Sequence, residues 1–184
     1  MSALLIQETR RLQLISFTLE MKKIALVDRK QLAEQLGVQI PDIWPGPDLA
    51  EALPFFISEM EKHPDLPPWD GLIIHKEQGV LIGDMGFKGG PDAAGRVEIG
   101  YSILPAYRNQ GYATEMACHL IAWALQQPGV HTVVAECLDN NLGSIKVLEK
   151  VGMRQAGREG ELLKWETRNA PGIGGTEYKH GIGS

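Results

Sequence analysis

The alternation of apolar and polar residues divides the first part of the chain into a strand and two helices. Residues 11–19 alternate with a period of two, which predicts a strand. Thr18 is a favoured N-cap residue, and the sequence after it predicts a helix that extends to about Leu36. After a proline-rich loop, apolar side chains recur with helical spacing over residues 49–60. Because Pro54 lies inside this segment, the second helix is predicted to start late or to kink.

The remainder of the chain predicts a group of strands followed by a strand–helix–strand unit. Three strands are followed by a helix, a strand, a second helix and a closing hairpin. This order predicts a single α/β domain over residues 1–168, with a mixed sheet and helices packed on it. Residues 169–184 are rich in glycine and are predicted to form a loosely ordered tail. The predicted elements after residue 70 span 71–76, 80–87, 96–104, 112–126, 131–138, 142–151 and 153–168.

Composition is typical of a globular protein and narrows the range of partners. A chain of 184 residues with 43% hydrophobic and 22% charged residues can bury a core of its own. No apolar stretch approaches the ~20 residues of a membrane span, and a formal charge of -5 disfavours nucleic-acid binding. Two cysteines, Cys118 and Cys137, and an N-terminus without a secretory leader predict a cytoplasmic protein without disulfides.

The segment with the clearest chemical signal lies between the third of these strands and the helix after it. The strand is predicted to end at Leu104, and a loop containing glycine then leads directly into the helix. Unpaired N–H groups at a helix start attract anions such as phosphate. Gly111 permits close approach of a ligand to the backbone, small Ala113 does not obstruct it, and Arg108 adds positive charge. The same pattern also occurs at ordinary strand–loop–helix corners, so it does not establish a phosphate site alone.

The segment RNQGYA resembles the acetyl-CoA signature R/Q-x-x-G-x-G/A of the GNAT acetyltransferase superfamily. Within that superfamily, EIGYSILPAYRNQGYATE is similar to the branch of ribosomal-protein N-terminal acetyltransferases, the RimJ/RimL-like enzymes. Downstream, residues 141–144 and 147–153 resemble the N-x-x-S and LEK-x-G-F blocks of the same branch. The resemblance extends over about residues 8–168 and is most specific over residues 98–153.

The resemblance implies a GNAT fold that binds acetyl-CoA in a gap of the sheet. The sheet would be mixed and mostly antiparallel, flanked by about four helices and splayed between its fourth and fifth strands. The pantetheine arm of acetyl-CoA would lie in the splay beside the backbone of Ile103 and Leu104. Asn141 would bond the cofactor, cap the following helix, or do both. The pyrophosphate would be held by the segment that follows the fourth strand, which comprises Arg108, Asn109, Gln110, Gly111, Tyr112, Ala113 and Thr114.

The implied reaction is direct transfer of an acetyl group to a primary amine in a ternary complex. An α-amino group with a pKa of ~7.7–8.0 needs only a weak base, whereas a lysine at ~10.4 needs a stronger one. Glu98 resembles the base of some family members, acting through a water, but it would fit a strand-face salt bridge equally well. Many members use a tyrosine as general acid where this chain has Leu148. Ser144 is the predicted substitute and a predicted cofactor contact, although it would also fit a helix residue that bonds the backbone.

The acceptor is predicted to be a protein or peptide N-terminus first and a small-molecule amine second. The resemblance implies a monomer or homodimer, and the five histidines show no metal-ligand spacing. The missing tyrosine also supports a different class, a non-catalytic acyl-CoA-binding sensor or regulatory module. Trp44 would either line the acceptor pocket or anchor its loop. Cys137 is predicted to be a small buried residue rather than a reactive thiol.

Overall fold

The computed structural model describes residues 5–168 and Ala170, so that all of the predicted tail except Ala170 lies outside the described residues. Within them, strands and helices follow one another in an α/β order. In chain order they are β1 (Leu5–Glu8), β2 (Leu12–Ser16), α1 (Leu19–Val27), α2 (Arg29–Leu36), α3 (Pro47–Lys62), β3 (Asp70–His75), β4 (Val80–Phe87), β5 (Arg96–Ile103), α4 (Tyr112–Ala124), β6 (Thr132–Leu138), α5 (Leu142–Lys150), β7 (Arg154–Glu159) and β8 (Leu162–Thr167).

These strands form one sheet that opens in its middle. The strand order is β1-β2-β3-β4-β5-β6-β8-β7, and every neighbouring pair is antiparallel except β5 and β6. The parallel pairing of β5 with β6 ends at Glu98 and Val134. Beyond that point β5 continues along β4 to Ile103, while β6 continues along β8 to Leu138. The mixed, mostly antiparallel sheet and the splay between the predicted fourth and fifth strands are therefore confirmed.

The helix predicted from Thr18 to Leu36 is two helices. Thr18 caps α1 as predicted, since its hydroxyl accepts the N–H of Met21 at 3.3 Å. Asp28 then leaves the helical conformation, with φ -150° and ψ 88°, and its side chain accepts the N–H of Gln31 at 3.0 Å. An aspartate that caps a second helix offers the backbone an alternative to continuing the first one. The apolar spacing alone gave no sign of this break.

Of the two alternatives predicted for the next helix, a late start was wrong, because α3 runs from Pro47 through Pro54 to Lys62. Pro54 has no N–H, so the carbonyl of Ala50 loses its helical partner. Both residues lie on the exposed side of α3, where water can satisfy that carbonyl, while Leu53 is buried. The position of Pro54 on the solvent side therefore reduces its cost.

Helices cover both faces of the sheet and bury two apolar clusters. One cluster includes Leu120 of α4 and Leu148 of α5. The other includes Met21 of α1, Leu32 of α2 and Leu53 of α3. The helices α4 and α5 therefore lie on one face of the sheet, and α1, α2 and α3 cover the opposite face.

Candidate active site

The loop between β5 and α4 presents an exposed helix start. A short 3-10 turn at Pro105–Tyr107 leads into residues 108–111, all of which are exposed. Asn109 and Gly111 adopt positive φ angles of 58° and 81°, a region that favours glycine and, among other residues, asparagine. Among the described residues no side chain caps α4, which begins at Tyr112. The N–H groups of its first turn therefore remain available to a ligand.

Arg11, in the turn between β1 and β2, holds this loop against the first turn of α4. Its NH1 donates to the carbonyl of Gln110 at 3.0 Å, and its Nε donates to Glu115 Oε2 at 2.6 Å. The guanidinium also lies 4.3 Å from the ring centroid of Tyr112. Sequence reasoning gave Arg11 no role, because its partners are about a hundred residues away along the chain.

Glu115 is the centre of this network. It accepts hydrogen bonds from Thr9 Oγ1 at 2.6 Å and from the backbone N–H of Arg11 at 3.0 Å, besides the bond from the guanidinium. Partial burial alone would raise the pKa of Glu115, but the hydrogen bonds from Thr9 and Arg11 outweigh it and lower the pKa. An ionised Glu115 therefore fixes the β1–β2 turn beside the helix start.

Two of the predicted cofactor residues use their side chains to support the loop. The ring of Tyr112 is buried, and its hydroxyl lies 3.0 Å from His75 Nε2. Arg108 donates from Nε to the carbonyl of Ile103 at 2.8 Å, which closes the end of β5. Tyr112 can therefore offer a ligand its backbone N–H but not its hydroxyl.

The backbone of β5 shows which of its groups face the splay. The N–H of Leu104 donates to the carbonyl of Ile82, and the carbonyl of Glu98 accepts from Lys88. Even-numbered residues of this strand therefore direct their backbone groups toward β4. Because the direction alternates along a strand, Tyr101 and Ile103 direct theirs toward the gap. Sequence reasoning named Ile103 and Leu104 but missed Tyr101.

Tyr101 and α5 form the other wall of the gap. Asn141 caps α5, since its Oδ1 accepts the N–H of Ser144 at 3.1 Å. The carbonyl of Ser144 in turn lies 3.5 Å from the hydroxyl of Tyr101, and burial raises the pKa of Tyr101 to about 12. Leu148, at the position of the usual tyrosine, is buried in the core. The structure thus brings Ser144 and Asn141 together with Tyr101 at the splay.

Glu98 lies where the splay closes and forms an ion pair. It is the last residue of β5 that pairs with β6, and Lys88 donates to its Oε1. Its side chain is 28% exposed. Both of the roles that the sequence left open therefore remain compatible with its position, since the ion pair occupies only one carboxylate oxygen.

Cys137 and Trp44, each compatible with two roles on sequence alone, are both buried. Burial raises the pKa of the Cys137 thiol, as expected for a small buried residue. Trp44 is 1% exposed and packs against Phe17 with ring centroids 5.9 Å apart, so it anchors its loop. Its Nε1 donates to Oδ2 of Asp84 at 3.4 Å. Asp84 is a half-buried carboxylate in the middle of β4 that sequence reasoning did not single out.

Residues 5–168 contain no group of three or more His, Cys, Asp or Glu side chains placed to hold a metal ion. None of their helices is both long and apolar enough to cross a membrane.

A mixed sheet that opens beside an exposed helix start defines the class of protein, and comparison with known sequences identifies the family. Residues 18–154 match the family described as an acetyltransferase (GNAT) domain. The chain is also 34% identical over 159 residues to the "Uncharacterized N-acetyltransferase YjdG" of Bacillus subtilis (strain 168), which covers 86% of this chain and 95% of that protein. The chain therefore belongs to the GNAT acetyltransferase family, and it is an acyltransferase.

Solved structures share the fold at low sequence identity. The ribosomal-protein-S5-alanine acetyltransferase from Vibrio fischeri matches with a TM-score of 0.61 and 16% identity, over 89% of this chain and 96% of that one. The microcin C7 self immunity acetyltransferase MccE, in complex with acetyl-CoA and AMP, matches with a TM-score of 0.60 and 14% identity, over 88% and 94%. At these identities the likeness shows the fold.

Proposed function

We propose that this enzyme transfers an acetyl group from acetyl-CoA to a primary amine by direct attack in a ternary complex. The observation that carries the proposal is the placement of an uncapped helix start beside an open sheet. The sheet opens after Glu98, and α4 begins after Gly111. This arrangement offers N–H donors for a pyrophosphate and a gap for an extended arm in the same region of the molecule.

The pyrophosphate would lie on the loop before α4. The N–H groups over residues 109–114 would donate to it, and Arg108 and Gln110 would flank it from the exposed loop. Gly111 suits this role because its positive φ of 81° disfavours a side chain. A Cβ there would contact only the flexible end of Arg11, at 3.4 Å from NH2, so the backbone angle and not a lack of space favours glycine.

The pantetheine arm would lie in the gap between β5 and β6. Tyr101 and Ile103 direct their backbone groups into the gap, so they are the proposed partners of the pantetheine amides. Because the carbonyl of Ile103 already accepts from Arg108 Nε, its N–H is the group left for the arm. The N–H of Leu104 is bonded to β4, which leaves its side chain as the part that could contact the arm. Asn141 and Ser144 would border the arm from α5.

The chemical step requires proton transfers and a leaving thiolate. A thiol with a pKa near ~8.5 leaves readily, so the loss of the usual tyrosine at Leu148 does not prevent the reaction. Glu98, acting through a water, and Ser144 are the candidates for proton transfer that the family resemblance implies. The acceptor would be an N-terminal α-amine first, since one protein of similar structure is a ribosomal-protein-S5-alanine acetyltransferase. A small-molecule amine is the second choice.

A thermal melt with acetyl-CoA tests the cofactor site. At a concentration of a hundred times Kd, binding should stabilise the protein by ~2.7 kcal/mol and raise the melting midpoint by several degrees. Gly111→Asp should abolish that shift, because it adds a negative charge and a side chain at a positive φ. Gly89→Asp is the matched control: Gly89 has φ 87° in the connection between β4 and β5, at the opposite end of β5 from the loop, and a Cβ there would meet no atom within 4 Å.

The outcomes separate the enzyme from the alternatives. Release of free thiol with peptides that carry a free N-terminal alanine or with small amines, reduced in Glu98→Gln or Ser144→Ala, would support the transferase. A thermal shift without thiol release for any amine would favour the acyl-CoA sensor, which Leu148 supports. Flat melts with acetyl-CoA, coenzyme A and longer acyl-CoAs would contradict the proposal.

A further inference from the structure

Asp84 lies on the face of the sheet opposite α4 and α5, one strand behind the splay. In the register of β4 and β5 it stands opposite Ser102, and the next pair on this face is Gly86 opposite Gly100. Directly opposite residues in antiparallel strands lie about 5 Å apart. Asp84 is therefore close to the stretch of β5 whose outer edge faces the gap.

Open space lies over β5 beside Asp84. A Cβ built on Gly100 would meet no atom within 4 Å, even though α1, α2 and α3 cover this face of the sheet elsewhere. At Gly86 the opposite holds, since a Cβ there would lie 2.2 Å from Asp70 Cα. The opening is thus local to Gly100, and it has room for a small group between Asp84 and the splay.

The other charged groups near this opening form two ion pairs, Lys22 with Asp70 and Lys88 with Glu98, so that Asp84 adds one negative charge when it is ionised. On α1, Lys22 is 1% exposed, and its ammonium bonds both carboxylate oxygens of Asp70, at 2.9 and 2.8 Å, and the carbonyl of Phe17. It is therefore committed to Asp70 at the start of β3. Among the described residues, Asp84 accepts one side-chain hydrogen bond, from Trp44 Nε1 at 3.4 Å. The cluster of Lys22, Asp70 and Asp84 thus holds two carboxylates and one ammonium.

These surroundings also set the acidity of Asp84. Burial raises the pKa of Asp84 to about 7; the hydrogen bond from Trp44 and the charge of Lys22 oppose that rise, and the charge of Asp70 adds to it. The facing residue on β5, Ser102, is neutral. A carboxyl with this pKa exchanges protons readily near neutral pH, which is the property that a general base needs.

We propose that Asp84 binds the acceptor as an ammonium over Gly100 and takes its first proton. This inference rests on the proposed transfer from acetyl-CoA to an amine. The neutral amine then attacks the acetyl carbonyl carbon, the new C–N bond forms and the C–S bond breaks, with the electron pair leaving on sulfur. The thiolate takes the second amine proton, and Asp84 returns the first proton to solvent. The net products are the acetylated amine, coenzyme A and one proton.

Glu98 is less available for this first step. The two carboxyl groups flank Gly100 at similar distances: Glu98 lies two residues away on β5, about 7 Å along the strand, and Asp84 lies diagonally across the β4–β5 pair, about 7–8 Å away. Lys88 already donates to Glu98, whereas the donor to Asp84 is the neutral indole of Trp44. Asp84 also selects among amines. The equilibrium constant for proton transfer to a carboxylate of pKa about 7 is unfavourable by roughly tenfold for an α-amine with a pKa of ~7.7–8.0. For a lysine with a pKa of ~10.4 it is unfavourable by roughly a thousandfold. The inferred acceptor class is therefore amines with a pKa near 8.

The test compares pH profiles of kcat/KM for the wild type, Asp84→Asn and Glu98→Gln. The acceptors are two short peptides whose free α-amines differ in pKa, and an N-terminally blocked peptide with one lysine. In the wild type, the acid limb should have its midpoint near pH 7 with both α-amine peptides. In Asp84→Asn, kcat/KM should fall at least a hundredfold. Its remaining acid limb should follow the pKa of each amine, and the acetyl-CoA thermal shift should stay unchanged.

Two further variants keep the inference falsifiable if Asp84→Asn folds poorly. Asp84→Glu should be more active than Asp84→Asn, and its pH profile should again show an acid limb that is independent of the pKa of the amine. Trp44→Phe keeps a ring in the core but removes the hydrogen bond that favours the charged carboxylate, so the acid limb should move to higher pH. A merely structural role of Asp84 would not move this limb.

The results distinguish failure of this inference from failure of the proposed function. If the wild type neither binds acetyl-CoA nor acetylates an amine, the proposed function fails and the inference fails with it. If the wild type is active and Asp84→Asn keeps its rate within twofold and its acid limb, the inference alone is overturned. It is also overturned if Glu98→Gln, and not Asp84→Asn, removes the limb, or if the lysine peptide is acetylated as fast as the α-amines.

Discussion

Arg11 connects the β1–β2 turn to the loop before α4, about a hundred residues later in the chain, and its removal should weaken cofactor binding. Arg11→Ala would release the carbonyl of Gln110 and leave Glu115 without its charged partner. Both losses loosen the loop that presents N–H groups to the pyrophosphate, so we expect Kd for acetyl-CoA to rise about tenfold, or ~1.4 kcal/mol. Titration calorimetry measures this change. Arg10→Ala removes the exposed neighbouring arginine and should leave Kd unaltered; equal effects of the two variants would contradict a specific role for Arg11.

Asp84 should make the stability of the enzyme depend on pH in an identifiable direction. Its folded pKa, about 7, is raised by burial above the unfolded value of ~3.9. A group with a raised folded pKa contributes stability that is fully present below the unfolded pKa and is lost as pH rises through the folded pKa. Asp84→Asn should therefore stabilise the protein more at pH 8 than at pH 5, relative to the wild type. Urea denaturation at the two pH values measures the difference, and an equal effect at both would contradict the buried-carboxyl account.

The buried ion pair between α1 and β3 should matter more than the exposed pairs on the same helix. Lys22→Ala would leave Asp70 without its ammonium partner beside Asp84, which should cost about 3 kcal/mol of the free energy of unfolding. The adjacent Lys23 pairs with Glu61 at the surface, with both side chains about half exposed. Lys23→Ala should cost less than ~1 kcal/mol. Chemical denaturation of both variants tests the contrast, and similar losses would show that burial of the pair is not the cause.

Local sequence signals predicted the elements well where the cause was itself local. The capping by Thr18 and the glycine-containing loop that leads into α4 depend on neighbouring residues, and both were predicted from residue type. The division at Asp28 was missed because the same side chain suits a turn, a helix surface or a cap. Whether Pro54 faces solvent depends on which side of α3 packs on the core. The apolar spacing did not define that side well enough to place a single residue.

The parts of the site that the sequence missed are those made by contacts between distant segments. The loop over residues 108–114 could be proposed from the sequence because its chemistry is contained in one stretch of chain. Arg11 and Asp84 were missed because their partners come from other elements of the fold. Arg11 bonds Glu115 of α4, and Asp84 faces β5 and bonds Trp44. Tyr101 was missed because the side of β5 that faces the gap depends on the register with β4.

At the scale of the whole molecule, the opening over Gly100 lies between the half of the sheet that carries α1, α2 and α3 and the splay that would hold acetyl-CoA. Filling that opening should therefore affect the acceptor and spare the cofactor. A Cβ at Gly100 meets nothing within 4 Å and its φ is not positive, so Gly100→Val introduces no strain at Cβ. A β-branched residue also suits a strand, so the melting midpoint should hold or rise.

We expect Gly100→Val to raise KM for the amine at least tenfold while the acetyl-CoA thermal shift stays unchanged. Gly157→Val is the matched control, because Gly157 lies in the edge strand β7, also has open space at its Cβ and is remote from the splay in the sheet order. Steady-state kinetics with varied amine at saturating acetyl-CoA separate the two substrates. An unchanged KM in Gly100→Val would place the acceptor elsewhere, whereas loss of the acetyl-CoA shift would mean that this space belongs to the cofactor. A rise in KM with cofactor binding intact would locate the amine between Asp84 and the splay, where a role of Asp84 as base requires it.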